Sequence, residues 1–239
     1  MPRHFRNSSF PRLTAPGLQW TMVAVLFGVS LLLPAAVSDS FSISISEKQL
    51  SAIETKYTAA GRTRVSGWVQ LVASNQGKSV QEKLALVNDF FNQNVLWISD
   101  FDHYGVTDYW ATPLEMLASN AGDCEDFAIG KYFTLLALKV PMDTLKITYV
   151  KAQNVDPINR SHMVLTYYAT PAAIPLVLDN IKPEILPATE RSDLAPVYSF
   201  NGQGLWLAKE RSSGKSIAGG SSGISLWRNM LSRMGKEFG

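Results

Sequence analysis

Apolar residues recur at spacings of four, three and four through Val80, Leu84, Val87 and Phe91, which predicts a helix over Ser79 to Asn94. Upstream, Leu50 to Ala73 mixes apolar and polar positions as one helix, weakened by Gly61 and Gly67 and ended by Gln76-Gly77. Phe101 to Trp110 has no such period and reads as an aromatic-rich loop carrying His103. Thr112-Pro113-Leu114-Glu115 has helix-start chemistry: Thr112 caps, Pro113 takes the first helical position, and Glu115 can return to the Thr112 amide. That short helix ends near Ser119 to Gly122, and Asp123 caps the next one, which runs to about Leu138 before Pro141.

Beyond Pro141 the period changes to alternation. Leu145 to Lys151, Ser161 to Ala169 and Pro175 to Asn180 read as strands, and Asn201-Gly202-Gln203-Gly204 is a hairpin signal between Val197 to Phe200 and Leu205 to Ala208. Helices first and an antiparallel sheet afterwards predict an α+β domain. Glu210 to Gly223 is rich in Gly and Ser, and reads as a flexible segment. After it, Leu226, Trp227, Met230, Leu231 and Met234 cluster as a short amphipathic helix. The expected organisation is a domain over 39–209 with a tail over 210–239.

The N-terminus changes the charge argument. Arg3, Arg6 and Arg12 precede an uncharged run from Leu13 to Ser38, with an apolar centre at Met22 to Leu33 and small residues after Pro34. A basic start, an apolar run of about a dozen residues and a small-residue end describe a secretory leader over 1–38, shorter than a membrane span of about 20 residues. Removing it takes three of the 22 basic residues and none of the 20 acids, so the formal charge of +2 becomes 19 against 20, or −1. No basic stripe remains to suggest nucleic acid. The remaining ~200 residues suit one ordinary domain.

The chain has a single cysteine, Cys124 in Gly122-Asp123-Cys124-Glu125-Asp126. It cannot form an internal disulfide, and in an oxidising compartment a lone thiol needs a reason. A helix start lowers a thiol pKa, whereas neighbouring carboxylates raise it. Two readings compete: an inert core residue, or a nucleophile with something cationic among the acids. A nucleophilic cysteine needs a base and a group that orients the base. His162 lies early in the strand Ser161 to Thr166, and Asp179 closes the apolar strand Leu176 to Leu178, where a carboxylate is costly unless paired. Adjacent antiparallel strands can bring the two together. The bland alternatives are a structural histidine, a turn at Asp179-Asn180, an N-cap role for Asp123, and His103 as rival base. Two further motifs are dismissed. Gly219 to Gly223 matches G-x-S-x-G without a preceding strand, and Gly214-Lys215-Ser216 lacks the first P-loop glycine, since position 209 is Lys209.

Tyr109 to Glu115, Gly122 to Ala128, Ser161 to Leu165 and Leu176 to Asn180 together resemble the bacterial transglutaminase-like cysteine proteinases, over roughly Ser46 to Lys209. The resemblance implies a papain-like, transglutaminase-type α+β fold in which the nucleophile helix packs on an antiparallel sheet. It implies Cys124 as nucleophile, His162 as base, Asp179 as orienting group, and a calcium site at Asp123 and Glu125 with Asp126 as a further ligand. It also implies a periplasmic endopeptidase that cuts a large surface adhesin near paired alanines and releases it from a biofilm. The implied inhibitor is a LapD-type inner-membrane receptor for cyclic di-GMP. Two other functions stay open on the residues: a transglutaminase or amidase with the same triad, and a catalytically silent, calcium-stabilised binding module.

Overall fold

The structure, a computed structural model, describes residues 41–153, 161–208, 216–217 and 219–238. The expected leader over 1–38 and most of the Gly/Ser-rich segment lie outside these residues. No helix among the described residues is long and apolar enough to cross a membrane.

The helical half begins with α1 (Glu47–Lys56), α2 (Ala59–Ser74) and α3 (Val80–Asn94). The single helix expected over Leu50 to Ala73 is two. Tyr57 leaves helical geometry at ψ −87°, and Thr58 restarts the chain as an extended N-cap whose hydroxyl accepts from the Gly61 amide at 3.0 Å. Neither residue is a glycine or proline, so composition gave no warning. Gly61 is fixed by a close approach: a Cβ there would lie 2.4 Å from the Ala118 carbonyl oxygen. The expected loop at Phe101 contains α4 (Asp100–Tyr104), capped by Ser99 and ended by Gly105 in the left-handed region at φ 71°. Five residues are too few to show a period.

Next come α5 (Pro113–Ser119), with the expected Thr112 capping box, and α6 (Cys124–Ala137). Between them a two-residue parallel pairing joins β1 (Leu96–Trp97) to β2 (Ala121–Gly122). Ile98 N–H donates to the Gly122 carbonyl at 3.1 Å, which pins the chain just before Cys124.

The sheet comprises β3 (Leu145–Ala152), β4 (His162–Tyr167), β5 (Leu176–Leu178), β6 (Leu186–Pro187), β7 (Leu194–Phe200) and β8 (Leu205–Leu207). Its order is β6-β5-β4-β3-β7-β8, with every pairing antiparallel. The strand expected from Val197 starts three residues earlier, because a bulge opposite Tyr149 and Val150 accommodates Pro196. Leu145, Ile147, Leu165, Leu178 and Phe200 face the helices, and α6 is buried against them. Val150, Val164 and Val177 form a separate cluster, as period-two alternation requires.

The C-terminal segment corrects the boundary at Lys209. The amphipathic helix is present as α7 (Ser225–Phe238), and it belongs to the domain: Trp227, Met230 and Met234 are buried in the same core. Trp227 stacks on Phe133 at 5.6 Å and 15°, and Phe238 meets Phe41 at 5.9 Å. Arg233 Nε donates to Glu115 at 3.2 Å, and Arg233 also reaches the Trp110 carbonyl.

Trp227→Ala should cost about 3–5 kcal/mol, the usual loss for a buried aromatic, read as a lower denaturant midpoint. A truncation at Lys209 should fail to fold cooperatively. Glu237 adds a pH dependence. Burial pushes its carboxyl up from 4.5 to about 7, with the charge of Glu115 adding, although Thr112 donates to it at 2.9 Å. The folded state therefore binds this proton more tightly than the unfolded chain. Its stabilising contribution is full below the unfolded pKa and lost as pH rises through about 7. Glu237→Gln should flatten that part of the melting-temperature profile and raise the melting temperature above neutrality.

Candidate active site

Cys124 opens α6, the helix most deeply buried in the fold, with Asp123 as its extended N-cap. The position is set from several sides. Asp126 accepts the Asp123 amide on Oδ2 at 3.2 Å and the Ala111 amide on Oδ1 at 2.7 Å, tying the Trp110-Ala111 segment to the helix start. Both oxygens of Asp126 thus serve backbone amides, a structural role beside the further ligation expected of it.

His162 begins β4, and Asp179 immediately follows β5. Their side chains meet: His162 Nε2 lies 2.8 Å from Asp179 Oδ1, and both are fully buried. The other ring nitrogen, Nδ1, is buried and has no hydrogen-bond partner among the described residues. The backbone amide of Met163, the residue next to His162, acts on the Cys124 thiol in the direction that favours its thiolate. The structure thus brings His162 and Asp179 into direct contact. His103 instead packs on Tyr104, ring centres 4.2 Å apart. Trp110 is buried and stacks on Phe200 at 5.7 Å.

Asp179 is held as an anion. Burial alone would raise its pKa, yet the hydrogen bonds from His162, the Ile181 amide and Arg191 hold it well below the usual carboxylate range. Arg191 Nη2 lies 2.7 Å from Asp179 Oδ2 and 3.0 Å from Asp193 Oδ2, and is buried. Sequence reasoning missed Arg191. It sits in an irregular segment between strands, where no periodicity marks a charged residue as internal.

Around the thiol the electrostatics run the other way. Burial, then the charges of Glu125 and Asp123, push the Cys124 thiol well above its ordinary value, and its Sγ–H donates to Glu125 Oε2 at 3.0 Å. Asp123 and Glu125 are themselves raised, first by burial; for Asp123 the neighbouring Glu125 adds to it, for Glu125 Asp126 does. Two more acids join them from the α4 region. Asp100, Asp123 and Asp126 each place a carboxylate oxygen within 4.8 Å of the others, and so do Asp100, Asp108 and Glu125. Asp100 and Asp108 were not among the expected ligands, since α4 and its flanking turn carry no sequence signal that folds them onto α6.

The donor set suits a hard divalent cation. Asp123 Oδ1 and Asp100 Oδ1 are buried without hydrogen-bond partners among the described residues, and the cluster offers carboxylate oxygens of the kind that calcium gathers. A cation there would neutralise the repulsion that disfavours a thiolate. Asp123 and Glu125, the expected ligands, lie at the centre of this group.

Residues 62–197 match the family model for the bacterial transglutaminase-like cysteine proteinase BTLCP. No curated protein matches the chain at a significant level. Among solved structures, EGTA-treated LapG from Legionella pneumophila is 42% identical with a TM-score of 0.68, the match covering 80% of this chain and 98% of that one. The calcium-bound form of the same protein is 41% identical with a TM-score of 0.66, covering 80% and 99%. The fold is accordingly the papain-like, transglutaminase-like α+β arrangement. The chain belongs to the bacterial transglutaminase-like cysteine proteinases.

Proposed function

We propose that this protein is a periplasmic, calcium-dependent cysteine endopeptidase with Cys124 as nucleophile, His162 as base and Asp179 as orienting carboxylate. The observation that carries the reading is the buried His162–Asp179 pair at 2.8 Å, which leaves the other ring nitrogen, Nδ1, without a partner among the described residues. Asp179 holds the imidazole through Nε2 and stabilises its charged form, leaving Nδ1 to take the thiol proton. The thiolate attacks the scissile carbonyl, the amine leaves with the proton from His162, and water then hydrolyses the acyl-enzyme. The Cys124 amide, at the start of α6, is suited to stabilise the oxyanion.

Asp123 and Glu125 would hold calcium, with Asp100 and Asp108 adding oxygens from the α4 side. Bound there, the ion supplies the positive charge that lets a thiolate exist among carboxylates. The thiol otherwise gives its hydrogen bond to Glu125. The resemblance to LapG, together with the secretory leader read in the sequence, supports the periplasm as the compartment. It also supports a large surface adhesin, cut near paired alanines, as the substrate, and a LapD-type cyclic di-GMP receptor as the inhibitor.

Digestion of a candidate adhesin fragment, read by mass spectrometry, tests the chemistry. Cleavage should occur with calcium, stop in EGTA and be absent in Cys124→Ala. Incorporation of a fluorescent amine without cleavage would instead assign a transglutaminase. Calcium should also raise thermal stability, by about 2.7 kcal/mol at a hundredfold excess over Kd. Asp123→Asn and Glu125→Gln should each abolish that rise in a melting experiment, and a rise unchanged in both variants would remove the metal assignment.

A further inference from the structure

Lys131 is buried to 1% exposure two turns beyond Cys124 on α6, and the chemistry above does not use it. Its ammonium donates to Asn88 Oδ1 at 2.8 Å and to the main-chain carbonyl of Asp179 at 3.0 Å. Both acceptors are neutral oxygens. The ring of Phe127 lies 5.8 Å from Nζ. Desolvating an ammonium for two neutral acceptors is expensive. Burial accordingly pulls its pKa down to about 7, against the attraction of Asp179 and Asp89.

Satisfying the Asp179 carbonyl does not require a lysine. Asn92 Nδ2, from α3, already donates to the same oxygen at 2.9 Å. Asn88, the other acceptor of Lys131, donates in turn to the Pro183 carbonyl at 2.7 Å, so the whole segment after β5 is gripped from α3 and α6. What the lysine adds is a direct link between two parts of the site. The helix that carries Cys124 also holds the backbone of the residue that orients His162. The spacing of seven residues puts both side chains on nearly the same face of α6.

We propose that Lys131 is a positioning residue: by clamping the Asp179 main chain to the nucleophile helix, it sets where the His162–Asp179 pair stands relative to Cys124. This rests on the cysteine protease reading. An apolar residue of similar length would fill the space and leave the carbonyl bonded to Asn92, but would free the strand end from α6.

The test uses the full-length mature protein in saturating calcium, with iodoacetamide as the probe at neutral pH. Three things are measured: the alkylation rate of Cys124, the NMR resonance of the His162 ring proton shared with Asp179, and the melting temperature. Lys131→Met should lower the alkylation rate by about tenfold to a hundredfold, the usual result of misplacing a catalytic group, and shift the resonance. Leu135→Ala, equally buried on α6, should lower the melting temperature and leave the other two readouts at wild-type values. If Lys131→Met behaves like Leu135→Ala, the lysine is only structural and the proposal fails. If Lys131→Met does not fold, Lys131→Gln, a shorter and neutral side chain that loosens the same link to α6, carries the test. A slower alkylation rate with a shifted resonance then supports the proposal, and wild-type values overturn it. A wild-type protein that resists iodoacetamide and cleaves nothing would sink the protease reading itself. Wild-type reactivity that survives in both variants would sink this inference alone.

Discussion

From Asp126 to Ala137 every residue of α6 is buried, and this constraint shapes the site. Most of the helix is removed from water, and of the carboxylates gathered at its N-terminus Asp126 is buried and Asp123 and Glu125 are half-buried, so they are only partly solvated. Asp126 meets the problem with two backbone amides. Asp123 and Asp100 each keep a buried oxygen without a partner among the described residues. The same helix that stabilises the core by burying Phe127, Ile129 and Leu135 therefore creates a concentrated negative charge next to the thiol. Burial of the core and the crowding of these carboxylates have one origin.

The opposite end of the site is electrostatically balanced within the chain itself. Asp179 is ringed by Arg191, the Ile181 amide and His162, and stays ionised despite burial. The contrast between the two acidic regions is informative. One carboxylate, equipped with fixed internal partners, is a permanent negative charge beside His162. Near Cys124, Asp126 has its two backbone amides, but Asp123 and Glu125 crowd against each other with no ion pair among the described residues. In the calcium-dependent reading proposed above, that makes this part of the site conditional on a bound cation, whereas the Asp179 part is constant.

The parts legible in the sequence were those carried by regular periodicity. Cys124 stood at a marked helix start, His162 and Asp179 stood on alternating strands, and the α+β order followed from the change of period after Pro141. The break at Tyr57-Thr58 was hidden, because no glycine or proline marks it and tertiary packing at Gly61 decides it. Asp100 and Asp108 were hidden by the shortness of α4 and the turn after it. Arg191 and Lys131 were hidden for a different reason: their partners are twelve and 48 residues away, and local pattern says nothing about a charge buried at that range. The amphipathic cluster in α7 was visible, yet its docking surface was not, since Trp227 packs against aromatics from α6 and β7.

That docking has a temporal side. Phe133, Tyr132 and Phe200 find their aromatic cover in Trp227, and Phe41 finds Phe238. A growing chain that has not yet reached α7 leaves this surface open and leaves the Trp110 carbonyl without the grip of Arg233. The segment beside the acids is thus secured by a helix made after every strand of the sheet. The order of synthesis places completion of the surroundings of Cys124 after the sheet that they pack on.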